Sequence, residues 1–113
     1  MINAQLDLYV LRMQDNKLEV LLDDNKELPN LNLNENSDIA YQLGVLSKQY
    51  LSIDDGYLNF RPLDIFIVNK ILYIPYMVLI YNTLVPKHGG FYLLESITNE
   101  YNTKTLLKIK NII

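Results

Sequence analysis

The side chains of this chain that are best suited to chemistry are its carboxylates, and most of them stand in loops. Two acidic pairs, Asp23-Asp24 and Asp54-Asp55, are adjacent in the sequence, and carboxylate oxygens are the ligands that Mg²⁺ prefers. Between Asp38 and Asp54 there is no acidic residue. Because neighbouring side chains usually point apart, we interpret each pair as solvated turn residues and predict neither a metal centre nor a resident cofactor.

Other catalytic groups are few. The chain has no cysteine, which excludes thiolate catalysis, disulfides and cysteine-based zinc sites. The single histidine, His88, lies in a loop-like Pro-Lys-His-Gly-Gly segment, and its two glycines lack the helix and lysine that follow a phosphate-binding loop. No serine stands in a Gly-x-Ser-x-Gly setting. We therefore expect a protein without enzymatic activity.

Length and charge limit the partners. With 113 residues, half of them apolar and a fifth charged, the chain is predicted to be a single domain, 1–113. A net charge of −3 with scattered cations argues against direct nucleic-acid binding. The start lacks a signal-peptide pattern, and the longest apolar stretch, 71–84, is too short to span a bilayer. We expect no membrane insertion and a cytoplasmic location.

Alternation of apolar residues predicts an opening antiparallel hairpin. Leu6, Leu8 and Val10 alternate with Asp7 and Tyr9, and the apolar residues 18, 20 and 22 continue the period after a short polar turn. The Asn- and Asp-rich segment 23–35 is interpreted as a loop. Ser37 is predicted to cap a helix, with Asp38 in its first turn. The apolar face of that helix is Ile39, Leu43, Leu46 and Tyr50.

The second half predicts three strands and a terminal helix. Segment 57–68 reads as extended, with Pro62 marking a sheet edge or a bulge. After a tight Asn69-Lys70 turn, segment 71–81 is apolar on both faces, as in a central strand covered on both sides or a strand that meets a partner. A short strand, 91–94, precedes a helix capped by Thr98 or Asn99. The order predicts an α+β fold, an α/β/α sandwich whose mixed sheet has five to six strands and one helix on each face.

This order of elements resembles a Nudix hydrolase domain, most closely the Nudix domain of NrtR-type regulators and ADP-ribose pyrophosphatases. LDLYVLRMQDNKLEVLL resembles the opening hairpin of the family, and ILYIPYMVLIYN resembles the strand after the box helix. FYLLESI and TNEYNTKTLLKIKNII resemble the last short segment and the terminal helix. Leu28-Pro29 stands where the family has Leu-Pro-Gly-Gly. The resemblance covers most of the chain.

The Nudix box itself is not retained. In the family, glutamates on one face of the box helix hold divalent ions that activate water. Placed without gaps, Asn30 and Leu31 replace the two glycines and Ser37 replaces the first glutamate. The helical part becomes GVLSKQYLS, residues 44–52, in which Lys48 is a cation and no side chain is acidic. The resemblance implies a degenerate, non-catalytic relative of these hydrolases.

Three functions are compatible with this pattern. We expect first a protein-interaction or assembly module that acts as a homodimer or as a subunit of a larger complex. The candidate partner-binding residues combine tyrosines of the apolar strand with the apolar chain end: Tyr73, Tyr76, Ile109, Ile112 and Ile113. The alternatives are a non-hydrolysing sensor of an ADP-ribose-like or nucleotide ligand and a divergent nucleoside-diphosphate hydrolase that uses the loop acids. A longin- or profilin-like fold is the structural rival, although it lacks the long loop before the first helix.

Overall fold

A computed structural model describes residues 3–53, 55–81, 83–97 and 102–113. Within these ranges one mixed sheet lies between two helices, α1 (Ile39–Tyr50) and α2 (Thr103–Ile112). The strands are β1 (Asn3–Gln14), β2 (Lys17–Leu22), β3 (Asn30–Leu33), β4 (Arg61–Pro62), β5 (Phe66–Val68), β6 (Ile71–Leu79) and β7 (Gly90–Leu93). The predicted α+β sandwich is confirmed, with seven described strands where five to six were expected.

Strand β1 is the centre of the sheet. Its first nine residues pair in parallel with the whole of β6, from Asn3 opposite Ile71 to Leu11 opposite Leu79. Its other edge is shared, because β3 pairs with residues 4–7 and β2 with residues 11–14, both antiparallel. The main order is β4-β6-β1-β2-β7, with β5 also on β6. Every stretch of β1 thereby has a hydrogen-bonding neighbour.

The two faces of β1 belong to two separate cores, since successive side chains of a strand point to opposite sides. Leu6, Leu8 and Val10 pack with Leu43 and Leu46 of α1. Tyr9 and Leu11 pack in a second cluster with residues of α2, among them Ile109. The predicted apolar face of α1 and the two-sided burial of β6 are both confirmed, because β6 also contributes to each cluster.

Two tight turns fix the strand registers. Asp15 and Asn16 join β1 to β2, and Asn69 and Lys70 join β5 to β6, all four with positive φ between 50° and 65°. Two consecutive residues in the left-handed region form the type I′ hairpin turn, whose twist matches that of paired strands. Both turns lie where the sequence predicts them.

The polar segment 23–35 differs from the prediction because it contains β3. Strand β1 has twelve residues and β2 only six, so the backbone of residues 4–7 needs another partner, and β3 supplies it. The helix cap is also shifted by one residue. Asp38, not Ser37, is the N-cap of α1 and accepts a bond from the Tyr41 N–H, whereas the Ser37 hydroxyl accepts one from the Asn34 N–H.

The segment predicted as extended from 57 to 68 forms one edge of the sheet in two pieces. A short 3₁₀ turn, Asp55–Tyr57, precedes β4. Between the pairs Arg61–Met77 and Phe66–Tyr73, the edge strand advances five residues while β6 advances four. One extra residue on one strand is a β-bulge, so the edge and bulge expected from Pro62 are confirmed. Thr98 and Asn99, the predicted caps of the last helix, lie outside the described residues.

Gly89, the residue before β7, has a backbone conformation that favours glycine. Its φ is +74°, and an added Cβ would overlap the carbonyl oxygen of Leu22 and stand 3.0 Å from Asp23 Cα. We expect Gly89→Ala to lower the free energy of unfolding by about 2 kcal/mol or more, measured by urea denaturation. Gly90→Ala is the matched control, since its Cβ would meet only a Tyr92 ring carbon, at 3.9 Å. Equal losses in the two variants would contradict this interpretation.

Candidate functional site

Helix α1 contains most of the segment that was compared with the box helix in the sequence, and it packs against the sheet. Leu43, Gly44, Leu46 and Ser47 are buried against the sheet, and Lys48 and Gln49 are exposed. The carbonyl of Lys48 accepts a bond from Lys87 Nζ, at 3.0 Å, which ties the helix end to the 86–90 loop. No group of three or more histidine, aspartate or glutamate side chains in the described part of the chain is placed to hold a metal ion.

The acidic pair Asp23-Asp24 lines a shallow hollow of about 370 Å³ at the C-terminal end of α1, beside Tyr50 and His88. Asp23 Oδ1 accepts bonds from the backbone N–H groups of Asn25 (2.8 Å) and Glu27 (3.0 Å). This carboxylate therefore shapes the loop that leads to β3, as aspartate does in many turns. Burial, followed by the two aspartate charges, raises the pKa of Tyr50. For the second pair, Asp54 lies outside the described residues.

A polar pocket lies on the opposite face of the sheet, next to the start of α2. Its volume is about 350 Å³, within the lower range of small-molecule sites. It lies among β1, β3, β6, the loop before β3 and the 3₁₀ turn Leu94–Ser96. The lining residues are Gln5, Asp7, Leu22, Lys26, Glu27, Leu28, Asn30, Tyr73, Ser96, Ile97 and Asn102.

The pocket exists because α2 covers only one end of this sheet face. Gln5, Asp7, Tyr9 and Leu11 alternate along β1 and point to the same side. Tyr9 and Leu11 are covered by the core that includes α2, whereas Gln5 and Asp7 line the pocket. The strand changes from apolar to polar on this face at the point where helix cover ends.

Asp7 is the unusual residue of the site. It lies at the centre of the sheet with 3% of its surface exposed, and Gln5 Nε2 donates a 2.8 Å hydrogen bond to its Oδ1. Burial raises the pKa of this carboxyl to about 6, although the bond from Gln5 acts in the opposite direction. A carboxylate is costly in such surroundings. A buried, perturbed acid that lines a cavity is a recognised mark of a functional site.

The other polar groups of the pocket are held by local bonds. Asn30 Nδ2 donates to the Leu28 carbonyl at 2.7 Å, and the Tyr9 hydroxyl donates to Asn102 Oδ1 at 3.1 Å. Each amide has a second polar atom beyond the bonded one: an acceptor on Asn30 and a donor on Asn102. The Tyr73 ring stacks on Phe66 with centroids 5.0 Å apart. The pocket thus combines a carboxylate, several amides and an aromatic ring.

The predicted partner-binding residues are dispersed in the structure. Tyr73 lines the pocket with 8% exposure, and Tyr76 packs against the α1-side core. Ile109 is fully buried on the inner face of α2, and Ile112 packs against the same cluster. Ile113 is about half exposed, at 48%. Core packing accounts for the apolar character of most of them, and their role in partner binding stays a prediction.

The sequence analysis missed Asp7, Gln5 and Asn30 as site residues. A signal for Asp7 was present, because it interrupts a run from Leu6 to Leu11 that is otherwise apolar on both faces. Treating the run as a half-exposed alternating strand made Asp7 an ordinary solvent-facing residue. Asn30 is carried into the site by β3, which the loop interpretation of 23–35 did not include.

Searches with protein-family models and among curated proteins gave no match to this sequence, whereas solved structures gave clear ones. A mutT/nudix family protein from Listeria innocua has a TM-score of 0.73 and 10% identity, over 97% of this chain and 92% of its own. The NUDIX domain of Shewanella oneidensis NrtR, complexed with ADP ribose, has a TM-score of 0.65 and 13% identity, over 93% of this chain and 83% of its own. The C-terminal domain of mouse MUTYH, in complex with human PCNA, has a TM-score of 0.70 and 10% identity, over 98% of this chain and 88% of its own.

These similarities establish a Nudix-like fold for the chain. They extend over nearly all of it, which agrees with the resemblance seen in the sequence. At 10 to 13% identity, they carry the fold and not the chemistry. As a separate finding, no helix in the described ranges is long and apolar enough to cross a bilayer.

The buried carboxyl makes the stability of the fold depend on pH. Because the pKa of Asp7 is higher in the folded chain, about 6, than its ordinary value of 3.8, the folded state binds more protons between these values. The stability that the protonated Asp7 carboxyl contributes is thus fully present below about pH 4 and is lost as the pH rises through 6. We expect Asp7→Asn to raise the free energy of unfolding by about 2 kcal/mol at pH 7 and to change it little at pH 4.

Urea denaturation across this pH range measures the effect. Asp64→Asn is the matched control, because the Asp64 side chain is 84% exposed and we expect no comparable pH-dependent gain. An Asp7→Asn variant whose stability follows that of the parent chain at both pH values would contradict the assignment.

Proposed function

We propose that this chain is a non-hydrolysing binding domain whose polar pocket holds a small ligand of nucleoside size. The observation that carries the proposal is the buried Asp7 carboxyl at the wall of a 350 Å³ pocket, in a fold whose box helix presents no acidic side chain. The carboxylate lowers stability at neutral pH although Gln5 donates one hydrogen bond to it. Retaining Asp7 there is best explained by a ligand that pairs with it.

The groups of the pocket favour a planar ring with N–H donors at its edge. The Asp7 carboxylate accepts such bonds, and the Asn30 and Asn102 amides both accept and donate. The Tyr73 ring adds an aromatic surface. A purine base has this combination of edge and face, and the NUDIX domain of NrtR, which shares the fold, was solved with ADP ribose. We therefore propose purine nucleosides and their diphosphate derivatives, ADP-ribose included, as the ligand class.

The composition of α1 supports binding without hydrolysis. Pyrophosphate hydrolysis of the family type needs several carboxylates on one helix face to hold the divalent ions. Helix α1 has none between Ile39 and Tyr50, and its exposed Lys48 would repel a cation. The loop carboxylate Asp23 is engaged with backbone N–H groups. These features support a role as a sensor or carrier of the intact ligand.

Ligand binding is tested by isothermal titration calorimetry at pH 7.5 with ADP-ribose, NAD, adenosine, guanosine and the nucleoside diphosphates. We expect saturable 1:1 binding of at least one of them. Asp7→Asn should weaken it about ten- to a hundredfold, because a hydrogen bond to a charged group contributes about 1.5–3 kcal/mol. Affinity should also fall as the pH drops below about 6, where the carboxyl takes up a proton.

The matched control is Gln49→Ala, since Gln49 lines the shallow hollow at the end of α1 and not the polar pocket. It should leave the affinity within about twofold of the parent value. Flat titrations with the whole panel, or equal losses in Asp7→Asn and Gln49→Ala, would remove the proposal.

The absence of turnover is tested separately, with the same panel in the presence of Mg²⁺ or Mn²⁺. We expect no phosphate or nucleotide release above the rate of a heat-denatured sample, because no carboxylate of α1 can hold the metal. Turnover that is abolished by Asp54→Asn combined with Asp55→Asn would instead support a divergent hydrolase that uses the loop acids.

A second candidate function, that of a protein-interaction module, is favoured by a different observation. Large apolar side chains are exposed along the β4–β5 edge, with Ile65 at 61% and Ile67 at 59%. Exposed apolar surface at a sheet edge is typical of association sites. The MUTYH domain of the same fold was solved in complex with PCNA, so this fold is compatible with a protein partner. The two surfaces are neighbours, because β5 pairs with the Tyr73 end of β6. Neither isoleucine lines the polar pocket, so the two functions can coexist.

A further inference from the structure

We propose that the free edge of β5 accepts an extended peptide from a partner protein, in which aliphatic and acidic residues alternate. This inference deepens the interaction role given above as the second function and does not depend on the pocket at Asp7. It rests on the outward backbone groups of Ile67, the two different faces of β5 and the positive charge of the neighbouring helix.

The outer edge of β5 is available for pairing. Among the described strands, β6 is its one neighbour. In a hairpin with a two-residue turn, the residues flanking the turn exchange hydrogen bonds and the next pair does not. Val68 and Ile71 flank the turn here, followed by Ile67 opposite Leu72. The N–H and C=O of Ile67 therefore point away from β6, toward an added strand.

The two faces of this edge differ in character. Ile67 lies on the α1 side, because its partner Leu72 pairs with Ala4 on the same face as Leu6. Phe66 and Val68 lie on the α2 side, where a groove of about 350 Å³ separates β5 from the helix. An added strand would place every second side chain beside Ile67 and the others in the groove.

The groove is positively charged on its far wall. Lys104 and Lys108 of α2 line it, and Lys70 follows at the end of β5. The one acid of the groove, Asp64, lies 3.6 Å from Lys108, and both side chains are largely exposed. Two lining lysines against one acid, on a chain with a net charge of −3, favour an acidic occupant.

A second copy of this chain fits the groove poorly. Pairing two β5 strands would bring the Lys70, Lys104 and Lys108 groups of both copies to one interface, where like charges repel. The strand has only three residues, so two such edges would bury far less area than a stable dimer requires. A peptide with acids opposite the lysines and aliphatic residues beside Ile67 avoids the charge repulsion.

The probe is the peptide Ser-Val-Glu-Val-Glu-Val-Glu-Ser-NH₂, with fluorescein on its N-terminus for fluorescence anisotropy and an acetyl group there for backbone amide NMR of the isotope-labelled protein. We expect saturable binding with the largest shift changes at residues 65–70 and 104–108. The same peptide with lysine in place of glutamate should bind at least about tenfold more weakly.

Two variants locate the site. Ile67→Pro removes the outward N–H of the edge without removing a bond to β6, and Lys104→Glu with Lys108→Glu reverses the charge of the groove while changing only exposed side chains. Each should weaken the acidic peptide at least about tenfold. The matched control is Lys48→Glu with Lys110→Glu, which makes the same change of net charge away from the groove and should leave affinity within about twofold.

No saturable binding of the acidic peptide, equal binding of the lysine peptide, or shift changes centred elsewhere would overturn the proposal. A dimer that forms through β5, seen by light scattering and broken by Ile67→Pro, would overturn it too. The pocket function would stand in each case, because Asp7→Asn affects nucleoside binding and not this edge. A parent chain that binds the peptide and none of the nucleoside panel would support the proposal for the β5 edge and remove the pocket function.

Discussion

The whole architecture depends on the pairing and the double burial of β1. This strand is bonded to β6 along one edge and to β2 and β3 along the other, and its two faces supply both cores. A strand covered in this way favours apolar residues at every position. Asp7 departs from that rule at a cost of about 2 kcal/mol at neutral pH. Such a departure in the most constrained element is better explained by binding than by folding.

The packing of α1 in this fold does not depend on the side chains of its exposed face. The helix keeps its position through Leu43 and Leu46, whose contacts with β1 depend on apolar periodicity alone. Its exposed face takes no part in that packing and is free to change. The packing of the sandwich therefore does not require acidic side chains on this helix, and several polar groups of the molecule lie together in the sheet pocket. In our account, function is carried by β1, β3 and β6.

The sequence predicted the elements set by local periodicity and turn chemistry. The hairpin around Asp15-Asn16, the apolar face of α1 and the edge at Pro62 are local signals. Strand β3 was missed because Asn30 and Asn32 lower strand propensity, and only the unpaired backbone of β1 makes the segment extended. The pocket was missed for the same kind of reason. Gln5, Asp7, Asn30 and Asn102 are distant in sequence, and the point where α2 stops covering the sheet is a property of packing.

The most direct test of the central claim is a crystal structure of the chain grown with ADP-ribose and Mg²⁺ at pH 7.5. Our account predicts an intact ligand whose purine ring contacts Asp7 in the sheet pocket, with no metal ion coordinated by side chains of α1. Cleaved products, or a magnesium ion held at the helix with the purine outside the pocket, would contradict it.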